Sequence, residues 1–369
     1  MSRAVLGLVV LGTDPARSRG GIAAVLPGYF RLLDRLQIPF RFIPTHSTDR
    51  WSGKLRHWVL APFRVWFAVG QLRKMGVESV AIYAHAGKWP SLVRKLSLLL
   101  AGRLVGAKGI LHIHGAEIES YFQRPLMRRL CLLTLRPWDR IFVLSPYWRR
   151  LLLDSLPAER LRVVPNPLSW EIESEAKRPP ASSGWDEHRI LVLSRLVPGK
   201  GLDLAVEALG ELPKEYRLVV GGEGGLLQPL KDLAQHRGVA HRVEFAGWVT
   251  GPAKTRLLET SAVFCLPTRR DCMSTSILEA LAFGLPVVAL DYGPTADLVP
   301  SGRCGLLASC SDPRELAQAI RSICESPELR RSMSMEAKQW VHSQFCIESA
   351  IPRLREGLRD MDGEDRAGA

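Results

Sequence analysis

Nowhere in this chain do two cysteines stand in a C-x-x-C pair, although it carries seven of them. A disulfide framework or a zinc ribbon relies on such spacings. Their absence leaves small buried thiols as the expectation, above all for Cys131, Cys265 and Cys324 in their apolar settings, and a reducing compartment. Long apolar runs are missing too. No uncharged stretch approaches the ~18 residues that a membrane-spanning helix requires. The opening AVLGLVVLG has Arg3 as the only charge before it and no small-residue cleavage site after it, so it reads as a buried strand rather than a leader. Acidic side chains are scarce in one half only. Up to Leu168, 26 Lys/Arg stand against 9 Asp/Glu; from Ser169 onward, 24 stand against 28. A basic half beside a mildly acidic one implies an anionic partner, membrane or nucleic acid, for the first half.

The chain has 369 residues, 46% apolar and 24% charged, enough for two ordinary globular cores. Apolar runs at 5–12, 80–87, 110–115 and 141–145 alternate with helical patterns at 22–36, 91–104 and 125–135. That alternation predicts a parallel, doubly wound sheet. It breaks at 165–188, whose Pro, Ser and charge predict a linker and surface loop. A second series of strands follows at 189–196, 216–224, 242–248, 262–268, 286–291 and 304–309. The expectation is an α/β chain of two Rossmann-like lobes facing each other across a cleft: 1–168, basic and acceptor-side, and 169–345. Residues 346–369 form a C-terminal helix and polar tail that cross back to the first lobe.

In open α/β sheets ligands bind at the carboxyl ends of the strands, so the loops there carry the argument. After the first strand, Gly20 and Gly21 lead into a helix, allowing close backbone approach beside an anion-attracting helix start. They do not make the G-x-G-x-x-G of dinucleotide sites. The first strand of the second lobe ends in SRLVPGKG, which sets Arg195 and Lys200 five residues apart. Beyond AVFCLPT comes RRDCMSTSILEA, with Asp271 and Glu279 eight positions apart and a predicted helix start at Ser274–Ser276. Two cations and a helix N-terminus suit a diphosphate. Glu279, expected in the first helical turn, suits a ribose diol, and Asp271 suits a second hydroxylated moiety.

SRLVPGKG, VVGGEG, VEFAGW and PTRRDCMSTSILEALAFGLPVV resemble, in order and spacing, the C-terminal lobe of family 4 retaining glycosyltransferases of the GT-B fold. The family's basic R-x4-K pair corresponds to Arg195 and Lys200. Its E-x7-E element corresponds to Asp271 and Glu279, with Asp271 one methylene short of the usual glutamate. Two other departures are CMS after Asp271, where glycine or proline is common, and PNPL at the linker. The resemblance implies that Arg195 and Lys200 stabilise a departing diphosphate, that Glu279 holds the ribose and that Asp271 contacts sugar hydroxyls. It implies that the amides of Ser274, Thr275 and Ser276 face the phosphates, and it adds Gly222, Gly247 and Trp248 to the donor site. Less specifically, Gly20 and Gly21, and His114 in HIHG, match first-lobe elements that face the donor and the sugar.

Plainer readings stand beside these. Ser276-x-x-Glu279 also fits a helix capping box; the order of the surrounding motifs favours ligand contact. His112 and His114 share a strand face without an evident third ligand, and the only D-x-D string, 360–362, lies in a polar tail, so no metal is expected. In the stretch 49–76, Trp51, Trp58 and Trp66 interleave with Lys54, Arg56 and Arg64, which suits either a core helix or one resting on anionic lipid. Nothing there matches a nucleic-acid motif. The expected function is retaining transfer of a sugar from a nucleoside-diphosphate donor, UDP- or GDP-linked. The acceptor is a lipid-linked glycan or polysaccharide of a bacterial envelope, reached on the inner face of the cytoplasmic membrane. A nucleotide-sugar epimerase and a non-catalytic sugar-nucleotide-binding scaffold are the alternatives.

Overall fold

Apolar runs become strands, and the amphipathic segments between them become the helices that cover both faces of a parallel sheet. The structure is a computed structural model describing residues 6–18, 20–46, 51–178, 184–309 and 312–361, with backbone alone at 46 and 51–59. The chain divides into two units, Met1–Ser169 with Ile347–Ala369, and Trp170–Cys346.

The first unit begins with β1 (Leu6–Thr13), α1 (Gly21–Arg35), β2 (Phe40–His46) and α2 (Trp51–Lys74). It continues with β3 (Ser79–Ala86), α3 (Trp89–Arg103), β4 (Lys108–Ile113), α4 (Glu117–Phe122) and α5 (Pro125–Leu135). Then come β5 (Arg140–Val143), α6 (Pro146–Leu153) and β6 (Leu161–Val163). Its sheet runs β2-β1-β3-β4-β5-β6, all parallel. The step from β1 to β2 runs opposite to every later step, so right-handed crossovers put α1 on one face and α2, α3 and α5 on the other. Strand alternation agrees. Leu8, Val10, Ala81, Tyr83, Ile110 and Phe142 share a core with α1. Ile82 points the other way, into the space that Gly102 of α3 leaves open.

The second unit holds α7 (Trp170–Ala176), β7 (Asp186–Leu193), α8 (Leu202–Gly210), β8 (Arg217–Gly221) and α9 (Leu227–His236). After them come β9 (Val243–Gly247), α10 (Gly251–Thr260), β10 (Ser261–Cys265), α11 (Thr275–Ala282) and β11 (Val287–Leu290). It closes with α12 (Gly293–Leu298), β12 (Gly305–Ala308), α13 (Pro313–Cys324) and α14 (Pro327–Phe345). Its parallel sheet runs β12-β11-β10-β7-β8-β9. The last helix, α15 (Ile347–Gly357), packs against α1 of the first unit, where Leu354 is fully buried. No helix among the described residues is long and apolar enough to cross a membrane.

Three sequence expectations change. Strands β2 and β6 were not anticipated, and both are sheet edges. The segment 165–188 is not all loop: α7 buries Ile172 and Glu173 within it, and β7 starts at Asp186.

Candidate active site

Strand order determines where the second unit can hold a ligand. From β7 the chain moves to one side through β8 and β9, and from β10 to the other through β11 and β12. The loops after β7 and β10 therefore diverge, leaving a crevice at their shared carboxyl ends. Arg195 and Lys200 lie in the first of these loops, Asp271 in the second.

The loops are tied together by glycines. Gly201 has φ +70, and a Cβ there would lie 1.9 Å from the carbonyl oxygen of Pro267. Gly199 also has positive φ, and its carbonyl accepts hydrogen bonds from the Arg269 amide at 3.0 Å and the Thr268 hydroxyl at 3.2 Å. The approach brings Lys200 Nζ within 2.5 Å of Asp271 Oδ2, both groups mostly shielded from solvent. Arg195 is exposed and has no ion pair among the described residues.

Helix α11 takes Ser274 as its N-cap residue, without a side-chain capping bond. Ser274 is buried, and its hydroxyl lies 3.1 Å from that of Ser276. The first-turn amides, including those of Thr275 and Ser276, have no carbonyl one turn earlier within the helix. This start corrects two expectations. Glu279 falls in the second turn, not the first, and Ser276 is not at the cap, so the two cannot form a capping box. The Glu279 carboxylate instead pairs with Lys254 of α10, Nζ to Oε1 2.9 Å. Lys254 was not singled out in the sequence.

Gly222 follows β8 at φ +153, where a Cβ would strike the Ser194 carbonyl at 1.8 Å. Its amide donates to the Gly247 carbonyl at 2.6 Å. Gly247, at φ +68, has open space around it, and the neighbouring Trp248 is 39% exposed.

In the first unit the switch point falls between β1 and β3. Gly20 is the N-cap of α1 and Gly21 its first residue; neither would meet any atom within 4 Å if given a Cβ. Across the sheet, β3 and β4 pair with His85 opposite His112. His85, His112 and His114 form one cluster, their ring nitrogens within 4.8 Å of one another. The expectation that His112 and His114 lack a third potential ligand is thus corrected: the neighbouring strand supplies His85. Both nitrogens of His112 are engaged, one with the Tyr83 hydroxyl at 2.9 Å and one with the Val164 carbonyl at 2.9 Å. His85 Nδ1 and His114 Nε2 share a hydrogen bond of 2.9 Å. An ion could take all three ligands only if His112 gave up a bond. Burial holds His85 and His112 well below the ordinary imidazole value and His114 down at about 3, with the nearby Lys95 adding to the effect on His85 and His114. The cluster is therefore neutral at pH 7.

Of the expected lipid-facing residues, the side chains of Trp51, Lys54, Arg56 and Trp58 lie outside the described residues. Arg64 is exposed. Trp66 is partly so, with its indole N–H donating to the Ala101 carbonyl of α3 at 2.7 Å.

Comparison with known proteins agrees with the resemblance read from the sequence. The glycosyl transferases group 1 model matches residues 173–340, nearly the whole second unit. The C-terminal unit is a group 1 glycosyltransferase domain. The transferase is 27% identical over 301 residues to a Mycobacterium tuberculosis GDP-mannose-dependent alpha-(1-6)-phosphatidylinositol monomannoside mannosyltransferase, covering 76% of each chain. It is 24% identical over 311 residues to a Campylobacter jejuni alpha-1,4-N-acetyl-D-galactosaminyltransferase that acts on an undecaprenol-linked saccharide, covering 82% of this chain and 79% of that one. The structure of Anabaena HepE in complex with UDP-glucose superimposes with a TM-score of 0.72 at 18% identity, over 95% of this chain and 99% of the other. That likeness spans both units, and the glycosyltransferase has the GT-B fold.

Proposed function

We propose that this glycosyltransferase moves a sugar from a UDP- or GDP-sugar to a lipid-linked or polysaccharide acceptor with retention of anomeric configuration, in bacterial envelope or exopolysaccharide synthesis. The observation that carries the donor half is the pairing, at one switch point, of a two-cation loop with the start of α11. Arg195 and Lys200 offset the charge of the departing diphosphate, and the amides of Ser274, Thr275 and Ser276 donate to its phosphate oxygens. Glu279 takes the ribose hydroxyls and Asp271 those of the sugar. Gly222, Gly247 and Trp248 border the base and ribose. From the first unit, Gly20 and Gly21 leave room for donor backbone contact, and neutral His114 offers the sugar a hydrogen bond. Side chains and amides carry the leaving-group charge in this reading, without a metal ion.

The acceptor half is supported by the relatives, two of which are named for lipid-borne acceptors, and by the basic first unit, which suits an anionic membrane surface at the inner face of the cytoplasmic membrane. A thermal-shift screen with UDP, GDP and their sugars tests the donor site, because a ligand at 100 times its Kd stabilises by about 2.7 kcal/mol. Stabilisation by one nucleoside diphosphate family, followed by turnover of its sugar in the presence of polyprenyl-linked glycans, is the expected result. Failure of every nucleotide to stabilise the protein would overturn the donor assignment.

A further inference from the structure

Three neighbouring helices of the first unit, α2, α3 and α5, form the outer layer on one face of its sheet, and none contains an Asp or Glu. Their described positive charges include Arg64, Arg73 and Lys74 on α2, Arg94 and Arg103 on α3, and Arg128 and Arg129 on α5. The same layer carries most of the exposed large apolar side chains among the described residues. On α2, Phe63 is 60% and Phe67 69% exposed; on α3 and just after it, Leu100 and Leu104 stand in solvent; on α5, Leu126 and Leu133 do. A groove of about 450 Å³ runs between α2 and β2, lined by Leu60, Phe63, Phe67 and Ile43 and edged by Arg41 and Arg64.

A monomer does not ordinarily leave such a patch in water, and single exposed residues would need no explanation, whereas a continuous face does. We propose that the outer face of the α2–α3–α5 layer docks on an anionic lipid bilayer, with the groove taking apolar chain from that bilayer. The charge is complementary: three helices without an acid of their own are set against phosphate headgroups, and of the cations named Arg103 pairs with a carboxylate, that of Asp139 beyond α5, at 3.0 Å. The depth is complementary as well, because arginine reaches the headgroups while its stem and the adjacent Phe and Leu side chains enter the acyl boundary. A nucleic acid would satisfy the arginines and leave Phe67 and Leu133 in water. The inference deepens the lipid-linked acceptor reading and rests on it for the purpose of the surface. On α2 the exposed apolar side chains of this face are Phe63 and Phe67 more than Trp66, and the face includes α3 and α5, which the sequence did not single out.

The test is vesicle flotation of the full-length protein without nucleotide, using phosphatidylcholine alone or with phosphatidylglycerol, at low and high salt. Binding is expected only with phosphatidylglycerol, weakening as salt rises. Arg64→Ala with Arg129→Ala, on separate helices, should weaken it about fivefold per charge. Phe63→Asp with Phe67→Asp should abolish it even at low salt. Met335→Asp, exposed in the second unit, should change nothing, and all variants should unfold at the parent temperature. Equal binding to neutral vesicles, no binding to either, or helix variants that bind like the parent would each overturn the proposal. Nucleoside-diphosphate stabilisation surviving such a failure would leave the donor reading intact.

Discussion

Lys200 Nζ stands 2.5 Å from Asp271 Oδ2, across two loops whose residues are 71 positions apart. One of the cations proposed for the diphosphate is thus paired with the carboxylate proposed for the sugar. Loss of Lys200 removes a charge-assisted contact of about 1.5–3 kcal/mol, so Lys200→Ala should lower kcat/KM about 10–150-fold. Asp271→Asn should do something different. It frees the lysine, so the nucleoside diphosphate alone should bind up to about fivefold tighter, the size of a partly exposed ion pair, while sugar transfer falls. Calorimetric titration with UDP or GDP beside steady-state kinetics separates the two, and weaker diphosphate binding by Asp271→Asn would count against the shared site.

Glu279 and Lys254 pose a related case, at 2.9 Å. If Glu279 holds the ribose in substrate and transition state alike, removing its positioning partner acts on uniform binding. Lys254→Ala should raise the donor KM several-fold with kcat nearly unchanged. A fall in kcat with constant KM would place Lys254 on the reacting end instead.

Spacing was legible in the sequence, and register was not. Ten apolar runs anticipated strands, but β2 carries Arg41 and Pro44 at a sheet edge, where proline is tolerated because no inner ladder bond is lost. Strand β6 has three residues, too few to show a period. Asp271 and Glu279 could be seen as a pair because one loop and one helix turn set their distance. Lys254 gave no local signal, since its partner lies 25 residues away on another helix. His85 was hidden for the same reason: only the parallel register of β3 with β4 brings it opposite His112.

That histidine cluster has a consequence for pH. The native state holds all three imidazoles neutral, His114 down to about pH 3, whereas the unfolded chain takes up protons near the ordinary value of 6.5. Below that value the unfolded state binds more protons, so stability is unaffected above it and falls as pH drops toward 3, by about 1.4 kcal/mol per pH unit for each histidine. Urea unfolding measured between neutral pH and mild acid should show this slope. His112→Gln, which retains a donor for the Val164 carbonyl, should reduce it by about one proton. An unchanged slope would mean the cluster is not the source.

Two glycines separate folding demands from ligand demands. Gly201 is held at φ +70 against the Pro267 carbonyl, so Gly201→Ala should cost at least about 2 kcal/mol of stability. Gly21 opens α1 with nothing within 4 Å of a Cβ position. Alanine there restricts the unfolded chain and suits a helix, so Gly21→Ala should stabilise the protein by about 0.4–1 kcal/mol. If a donor approaches this backbone, as proposed, the added methyl occupies space the ligand needs, and transfer should fall although the fold is firmer. Denaturant unfolding and kinetics on the same preparation decide the matter. A Gly21→Ala protein that is more stable and equally active would remove Gly21 from the donor site.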